Sequence, residues 1–328
     1  MSGIELRSIE AAFRPVKVQL RLLLQLVRRV FTDRFLGDIA GVRYVATTAL
    51  GGEETAGELE QLGVMRLSSE DLRLRSADTL FILGSAPDVN RLSEEQWEVI
   101  SRYDSVGFNS WARHPFVPTF YFAQHFSEDI SQRLVSADYL NTCVILRGDG
   151  IARQGLSLPG LEDFLARCSS QRIRFMPEIP VGRWAERISP AESLELLVAL
   201  GLWHRGDVPR LMPKFRSTLG LAVAFGYAMG YERIVVCGSD PMTPGHFWDA
   251  PEESMTARFA RRWDYLRSDL WTHESRLFAP NTVSSYLRAI DEDLRVSGGG
   301  GVYSGNVAGP RHGLRNFWAD VHFLSDIQ

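Results

Sequence analysis

The sequence predicts an α/β fold in which helices cover both faces of a mostly parallel sheet. Three observations predict it: apolar segments of strand length recur along the chain, helical patterns lie between several of them, and polar or small residues follow most of them. Apolar strands that alternate with helices are typical of parallel sheets buried on both faces. The 328 residues, 45% of them hydrophobic and 23% charged, are enough for one large domain or two modest ones.

The N-terminal segment over 13–36 reads FRPVKVQLRLLLQLVRRVFTDRFL and predicts a basic amphipathic helix. Its basic residues at helical spacing are Arg14, Lys17, Arg21 and Arg28. Such a helix can lie in a membrane interface with its cations near anionic lipid, or it can pack on the main domain or on a second subunit. Glycine-rich stretches follow it. We therefore expect an N-terminal helical appendage and connecting segment over 1–75 and the main domain over 76–328.

The main domain contains seven candidate strands and four candidate helices. The candidate strands are 79–83, 105–108, 119–122, 141–146, 173–176, 233–237 and 302–303. The helical patterns cover 92–102, 127–138, 217–229 and 281–295. The stretch 147–212 mixes Pro, Gly, Trp and Arg with little periodicity, so we expect a lid-like insertion there. Its arginines, Arg147 among them, could contact an anionic glycan or a lipid phosphate; a solvated loop region is the alternative.

Polar or small residues follow most of the candidate strands, where ligands of open α/β sheets bind. The candidate donor-binding residues at these ends are Gly84, Ser85, Ala86, Pro87, Asn109, Ser110, Gln124, Gly238, Ser239 and Asn306. Hydroxyl, amide and bare backbone groups suit the hydroxyls and phosphates of a nucleotide, although each turn taken alone could simply join a strand to a helix. The chain has neither a G-x-G-x-x-G at the first turn nor a P-loop, which argues against nicotinamide chemistry and P-loop phosphoryl transfer.

The N-terminus of the helix predicted over 217–229 is a second candidate binding site. Ser217 or Thr218 can cap it, and Lys214 and Arg216 precede it. Its free N–H groups and positive dipole end suit a phosphate or a carboxylate. Small residues along the helix also predict tight packing on the sheet, and the two interpretations are compatible because they concern different parts of the helix.

Five segments together resemble the bacterial sialyltransferases that use CMP-sialic acid to modify lipo-oligosaccharide. They are FILGSAP at 81–87, VGFNSW at 106–111, TFYFAQ at 119–124, RSTLGLAVAFGYAMGYERIVVCGSD at 216–240 and VYSGN at 302–306. The resemblance covers roughly 78–126 and 213–310 and implies a Rossmann-like fold. The same family shape also resembles the bacterial β-Kdo transferases, which use CMP-Kdo. The donor-holding roles that it implies fall on Gly84, Ser85, Pro87, Asn109 and Thr218.

Three residues are candidates for the catalytic role. Asp240 ends the strand-like RIVVCGSD and could orient a substrate, act as a base or attack the anomeric carbon, unless it only caps the following loop. His246 lies in a loop bounded by Pro and Gly directly after that strand. His273 lies several residues before the place where the resemblance implies a histidine base, and the tyrosines that the family carries after its Gly-x-Asp turn are missing.

The other histidines and the cysteines carry weaker expectations. His125 follows a strand end, while His114, His204, His312 and His322 are expected on the surface or in packing contacts. Cys143, Cys168 and Cys237 are far apart, so we expect three buried, reduced thiols and neither a disulfide nor a metal site. The only D-x-D motif, Asp291-Glu292-Asp293, is expected on a solvated helix face, so we expect no metal and no cofactor besides the donor.

The sequence therefore predicts a glycosyltransferase that moves an acidic sugar, sialic acid-like or Kdo-like, from a CMP donor to a cell-envelope glycan or glycolipid. The net charge of −4 disfavours a nucleic-acid partner, and a homo-oligomer is compatible with the pattern. We expect a cytoplasmic protein on the inner face of the membrane, without a secretory signal or a spanning helix. A pterin pyrophosphokinase-like enzyme that needs ATP and magnesium, and a non-catalytic glycan-assembly scaffold, are the alternatives.

Overall fold

The structure is a computed structural model. The residues that it describes are 52, 54–124, 127–147, 161–168, 172–181, 189–199, 201, 203–215, 217–239, 247, 283–307 and 312–319. Their centre is a nine-stranded sheet in which every pair of neighbouring strands is parallel. The predicted α/β Rossmann-like fold is confirmed. The amphipathic segment predicted over 13–36 lies outside the described residues.

All seven predicted strands form, with ends that differ by at most two residues from the prediction. The strands are β1 (Met65–Arg66), β2 (Thr79–Leu83), β3 (Asp104–Phe108), β4 (Phe120–Ala123), β5 (Cys143–Arg147), β6 (Ile173–Met176), β7 (Glu178–Pro180), β8 (Met212–Lys214), β9 (Arg233–Cys237), β10 (Gly301–Ser304) and β11 (Arg315–Asn316). The large sheet has the order β1-β6-β5-β4-β3-β2-β9-β10-β11, and β7 pairs with β8 in a separate parallel sheet.

The helices lie on both faces of the sheet, as predicted. They are α1 (Glu94–Ser101), α2 (Glu128–Leu134), α3 (Leu161–Arg167), α4 (Pro190–Ala199), α5 (Thr218–Ala228) and α6 (Val283–Gly298), with a further helical segment over 54–61. Leu80 and Ile82 of β2 pack in one core cluster with α4, α5 and α6, whereas Phe81 and Leu83 pack in another with α1, α2 and α3. Since successive strand residues point to opposite faces, this alternation places the two groups of helices on opposite sides.

Two parts of the predicted domain division need correction. The sheet includes β1, which lies before the boundary predicted between 75 and 76 and pairs with β6, Met65 opposite Arg174. A buried ion pair between Arg174 Nε and Asp71 Oδ1, 2.9 Å long, ties the same segment to the sheet. The stretch 147–212, predicted as an insertion, supplies β6, which is buried along its whole length between β5 and β1. The strand β6 belongs to the sheet because Ile173, Phe175 and Met176 are buried in the core.

Helix α5 crosses the sheet in close contact with it. All residues from Leu219 to Ala228 are buried, so the helix is apolar on every side, as expected for a helix enclosed by other elements. A Cβ added to Gly226 would lie 2.9 Å from Leu80 Cδ2 and 3.0 Å from Ile234 Cδ1. Small residues therefore let the helix approach β2 and β9, as the sequence predicted. This contact fixes the position of the helix N-terminus beside the sheet edge.

The three cysteines differ in burial. Cys143 and Cys237 are buried free thiols, and burial raises the pKa of Cys143 to about 12. Cys168 is only half-buried, so the prediction of a buried thiol is wrong there: it follows the last turn of α3, at the rim of the core. Among the described helices, none is long and apolar enough to cross a bilayer.

Candidate functional site

The strand order reverses between β2 and β9, and the turns after these two strands interlock. Gly84 donates its N–H to the carbonyl of Cys237 over 2.9 Å, and Ala86 donates to the carbonyl of Gly238 over 2.9 Å. Gly238 has a φ of +62°, which a glycine adopts without cost. In open α/β sheets a crevice at such a reversal binds the ligand. The predicted donor-binding turns thus meet at the one place in this topology where a site is expected.

The turn after β10 joins the other two. Gly305 donates its N–H to the carbonyl of Val236 over 2.8 Å, and its own carbonyl accepts from Trp318 Nε1 over 2.7 Å. The neighbouring Asn306 is buried, and its carbonyl accepts from Asn316 Nδ2 over 3.3 Å. The predicted site residue Asn306 therefore lies at the same sheet edge, with its backbone fixed by β11.

The turn after β3 has an unusual backbone. Asn109 has a φ of +57°, in the left-handed region, and its carbonyl accepts from the hydroxyl of Tyr121 on β4. Ser110 follows and precedes the short helix Trp111–Arg113. Both Asn109 and Ser110 are half-buried. Among the described non-glycine residues only Asn109 and His312 have positive φ, and residues held in this region occur more often at functional sites than elsewhere.

Phe247, which follows β9 in the sequence, packs on the turn after β2. The sequence did not predict this contact. Its N–H donates to the carbonyl of Ser85 over 3.0 Å, and its carbonyl accepts from Asn90 Nδ2 over 2.8 Å. Its ring lies 5.3 Å from that of Trp111 and 5.1 Å from that of His114. The turn after β2 is thus covered on one side by an aromatic cluster, and Pro87 begins a short helix, Pro87–Arg91, behind it.

His114 in this cluster is uncharged. Its ring stacks on Trp111 with centroids 4.3 Å apart, and its Nδ1 accepts from the N–H of Phe116 over 3.1 Å. Burial lowers the pKa of His114 to about 4, because the apolar surroundings disfavour the charged ring. The prediction of a packing role for His114 is confirmed.

A buried ion pair lies beside the edge, between the end of β5 and the start of β7. Arg147 Nε donates to Glu178 Oε1 over 2.7 Å, and its NH2 group donates to Glu178 Oε2 over 3.1 Å; both side chains are fully buried. Lys214 at the end of β8 lies 3.5 Å from Glu178. The prediction that Arg147 could contact an anionic glycan is wrong, because its guanidinium is enclosed by protein and occupied by Glu178.

The same arginine orients two predicted site residues. Its NH1 group donates to Gln124 Oε1 after β4 and, over 2.9 Å, to Thr218 Oγ1 at the start of α5. A guanidinium can only donate, so the Gln124 amide must turn its oxygen to Arg147 and its NH2 group away, and Thr218 keeps its O–H as a donor. Ser217 caps α5, its Oγ accepting from the N–H of Gly220 over 3.1 Å. The result is a set of hydrogen-bond donors at the N-terminus of α5.

His312 lies at the end of β9, although the sequence indicated only a surface or packing position. Its Nε2 lies 3.0 Å from the carbonyl oxygen of Ser239 and 3.4 Å from Ser239 Oγ. Its Nδ1 lies 2.9 Å from Ser284 Oγ, on the first turn of α6. The sequence carries no signal for this cluster because Ser239 and His312 are 73 residues apart.

The structure brings most of the predicted donor-binding residues to one edge of the sheet and leaves the predicted catalytic residues undescribed. The residues at this edge are Gly84, Ser85, Ala86, Pro87, Asn109, Ser110, Gln124, Ser217, Thr218, Gly238, Ser239 and Asn306. Arg216, Asp240, His246 and His273 lie outside the described residues, as does His125.

The D-x-D motif lies only in part on the solvated helix face that the sequence predicted, because Glu292 and Asp293 are exposed but Asp291 is not. Asp291 is buried; its Oδ1 accepts from the N–H of Val302 over 3.0 Å, and its Oδ2 accepts from Arg295 over 2.5 Å. Asp293 is exposed and accepts from the hydroxyl of Tyr227 over 2.7 Å. Asp291 is buried because its carboxylate binds the backbone of β10 and so joins α6 to that strand. Within the described ranges no three His, Cys, Asp or Glu side chains are grouped so as to hold a metal ion.

Fold and site together define an α/β Rossmann-like protein with a crevice between the ends of β2 and β9. Comparison with known proteins does not narrow this class, since no family model and no curated protein matches the chain.

Proposed function

We propose that this protein is a glycosyltransferase that transfers an acidic sugar, sialic acid-like or Kdo-like, from a CMP donor to a cell-envelope glycan or glycolipid. The observation that supports it best is that the turns after β2, β3, β4 and β9 lie at one edge of the sheet, where Arg147 links Gln124 after β4 to Thr218 at the N-terminus of α5. Gly84 and Gly238 let the turns after β2 and β9 interlock at the reversal of the strand order, where ligands of such sheets bind, and the donors around Thr218 suit a phosphate.

The chemistry of a CMP-sugar fits the groups at this edge. Its one phosphodiester carries a single negative charge, which the N–H groups of α5, the Thr218 hydroxyl and the Gln124 NH2 group can bind. Lys214, 15% exposed, adds a positive charge nearby. The Asn109 amide, at the adjacent strand end, is placed to contact the base or the ribose. An acidic sugar would bring a second anion, and the acceptor would enter from the same side.

The nucleotide site is tested by thermal shift and by calorimetric titration with CMP. A ligand at 100 times its dissociation constant adds about 2.7 kcal/mol to the free energy of unfolding. We expect stabilisation by CMP without magnesium, and little by ATP with magnesium. The pterin pyrophosphokinase-like alternative predicts the reverse, and the scaffold alternative predicts no stabilisation by either.

Two substitutions locate the nucleotide. Asn109→Gly removes the amide but tolerates the positive φ, and Thr218→Val removes the hydroxyl at nearly constant volume. We expect each to weaken CMP binding by roughly 10-fold, the equivalent of one hydrogen bond of about 1.4 kcal/mol. Thr218→Ser, which keeps the hydroxyl, is the control. Unchanged CMP affinity in both Asn109→Gly and Thr218→Val would remove the donor site from this edge.

The remaining parts of the proposal concern residues outside the described ranges. Asp240→Asn should lower transfer at least ~100-fold, about 2.7 kcal/mol of transition-state stabilisation, with little change in CMP affinity. Deletion of residues 1–40 should release the protein from anionic vesicles and leave CMP binding unaffected. Normal transfer by Asp240→Asn, or persistent vesicle binding by the truncated protein, would remove the corresponding role.

A further inference from the structure

His312 is held in a conformation that the chain does not adopt without support. Its φ is +57°, a region that costs most non-glycine residues on the order of 1–2 kcal/mol. Backbone held in this way persists only where its surroundings fix it, and such positions cluster at sites of chemistry. Both ring nitrogens of His312 have a partner at the end of β9 or the start of α6. The backbone and the ring are therefore fixed at the edge where the nucleotide is proposed to bind.

The contacts of the neutral ring define its tautomer. The carbonyl oxygen of Ser239, 3.0 Å from Nε2, can only accept a hydrogen bond, so Nε2 carries the proton. In the neutral ring Nδ1 is then the basic nitrogen, and its partner at 2.9 Å is the hydroxyl of Ser284. This is the arrangement of a nucleophile or relay hydroxyl, a base, and a fixed acceptor that sets the tautomer of the base. A carbonyl here takes the orienting place that a carboxylate often has.

We propose that Ser284 and His312 form a proton relay for the transfer reaction, an inference that rests on the proposed function. The oxygen of the acceptor hydroxyl forms a bond to the anomeric carbon while the bond from that carbon to the phosphate oxygen breaks, and CMP leaves with the electron pair. The acceptor proton passes to Ser284 Oγ as the Ser284 proton passes to His312 Nδ1. The imidazolium is stabilised by its Nε2–H bond to the Ser239 carbonyl and afterwards loses its proton to solvent.

The location of Ser239 supports this role. Ser239 directly follows Gly238, whose carbonyl binds Ala86 of the first donor-binding turn. The hydrogen bond from His312 therefore connects the relay to the crevice between β2 and β9. Ser284 is half-buried, as is His312, so both side chains reach the surface in part.

The experiment measures release of CMP from CMP-N-acetylneuraminic acid and from CMP-Kdo, with water as the acceptor, alongside CMP affinity by calorimetry. We expect His312→Gln to lower release by roughly 100-fold or more, the usual contribution of a general base, at unchanged CMP affinity. Ser284→Ala should also lower the rate of CMP release, without loss of CMP binding. His204→Gln is the control, because His204 is exposed and lies near Gly206, whose N–H meets the end of α5 far from the site.

A purely structural role is separated from the relay by chemical rescue. Imidazole in solution should restore release by a His312→Ala variant that still binds CMP, and should have no effect on Ser284→Ala. Release by His312→Gln or Ser284→Ala at the wild-type rate, with CMP bound normally, would overturn the relay and leave the proposed function standing. Failure of the wild-type protein to bind CMP would overturn both. If His312→Gln does not fold, Ser284→Ala and its CMP affinity decide the matter.

Discussion

Gly84 and Gly238 approach each other more closely than any other residue type would permit. A Cβ on Gly84 would lie 2.2 Å from the carbonyl oxygen of Gly238, and one on Gly238 would lie 2.4 Å from the carbonyl oxygen of Gly84. The two turns at the reversal of the strand order are therefore locked together by backbone alone. This contact makes the floor of the crevice a rigid feature of the fold.

Gly238→Ala should destabilise the protein by about 3 kcal/mol or more. The new Cβ meets a backbone oxygen, and alanine is strained at the positive φ. Gly206→Ala is a matched control, since Gly206 has a φ of +69° but nothing within 4 Å of an added Cβ. It should cost only the strain, about 1–2 kcal/mol. Urea unfolding of both variants measures the difference, and equal losses would mean that the close approach of the two turns contributes nothing.

The sheet was predictable because several of its strands contain continuous apolar segments. Residues 80–83 and 143–146 are apolar and buried throughout, so hydrophobicity marked them, and the residues that follow pointed to the ligand edge. β1 and β11 were not predictable, since each has two residues and forms only because a longer strand lies beside it. Short edge strands carry almost no local signal.

The polar contacts of the site were much less predictable than its backbone. The positions of Gln124 and Thr218 after a strand and at a helix start predict them at the site, whereas no sequence pattern indicates that Arg147 joins them. Arg147 and Glu178 lie 31 residues apart, on either side of a stretch without clear periodicity. Which charges pair in a core depends on how strands are ordered in space, and a single sequence does not specify that order directly.

Acid should weaken the fold through His114. Its pKa is about 4 in the folded protein and about 6.5 in an unfolded chain, so the unfolded state binds the proton first as the pH falls. The contribution of the neutral ring to stability is therefore complete above pH 6.5, declines as the pH falls from 6.5 towards 4, and is lost below that. Up to about 3 kcal/mol is involved.

The measurement for His114 compares urea unfolding of the wild type and of His114→Gln between pH 4 and 7. Carboxylates also titrate in this range, so only the difference between the two proteins reports on the imidazole. We expect the gap in free energy of unfolding to narrow steadily as the pH falls, because the variant has no ring to protonate. A constant gap would show that His114 accepts a proton in the folded state near its ordinary pKa.

At the opposite edge of the sheet, Tyr231→Phe should reduce stability without affecting CMP binding. The Tyr231 hydroxyl donates to Asp104 Oδ2 over 2.8 Å, and Asp104 also accepts from the N–H of Ser76 over 2.7 Å. Burial, followed by the nearby Asp104 carboxylate, raises the pKa of Tyr231, which keeps the hydroxyl as a donor. A hydrogen bond to a buried charge contributes about 1.5–3 kcal/mol.

The matched control for Tyr231→Phe is Tyr103→Phe, at a half-buried tyrosine whose hydroxyl has no hydrogen bond to another described residue. It should change stability by no more than about 0.5 kcal/mol. Chemical denaturation measures both variants, and calorimetry checks CMP binding. If Tyr231→Phe lowers the free energy of unfolding no more than Tyr103→Phe does, the hydrogen bonds that Ser76 and Ala77 donate are sufficient for the Asp104 carboxylate.

The Arg147–Glu178 pair should be far more costly to break than to replace. Removal of one partner leaves an uncompensated charge in the core, which costs about 3–5 kcal/mol, whereas apolar side chains in both places are often close to neutral. We expect Glu178→Leu to be worse than Arg147→Met, because it leaves Arg147 and Lys214 together without an acid, while Glu178 keeps Lys214 at 3.5 Å when Arg147 is lost. The double variant should recover most of the loss, as a double-mutant cycle from urea unfolding would show. The exposed pair of Arg102 and Glu98 is the control, with an expected coupling below about 0.5 kcal/mol.

CMP affinity gives an independent readout: even a stable double variant should bind CMP more weakly, because Gln124 and Thr218 lose the donor that orients them. Losses that simply add in the double variant would show that the two charges do not depend on each other.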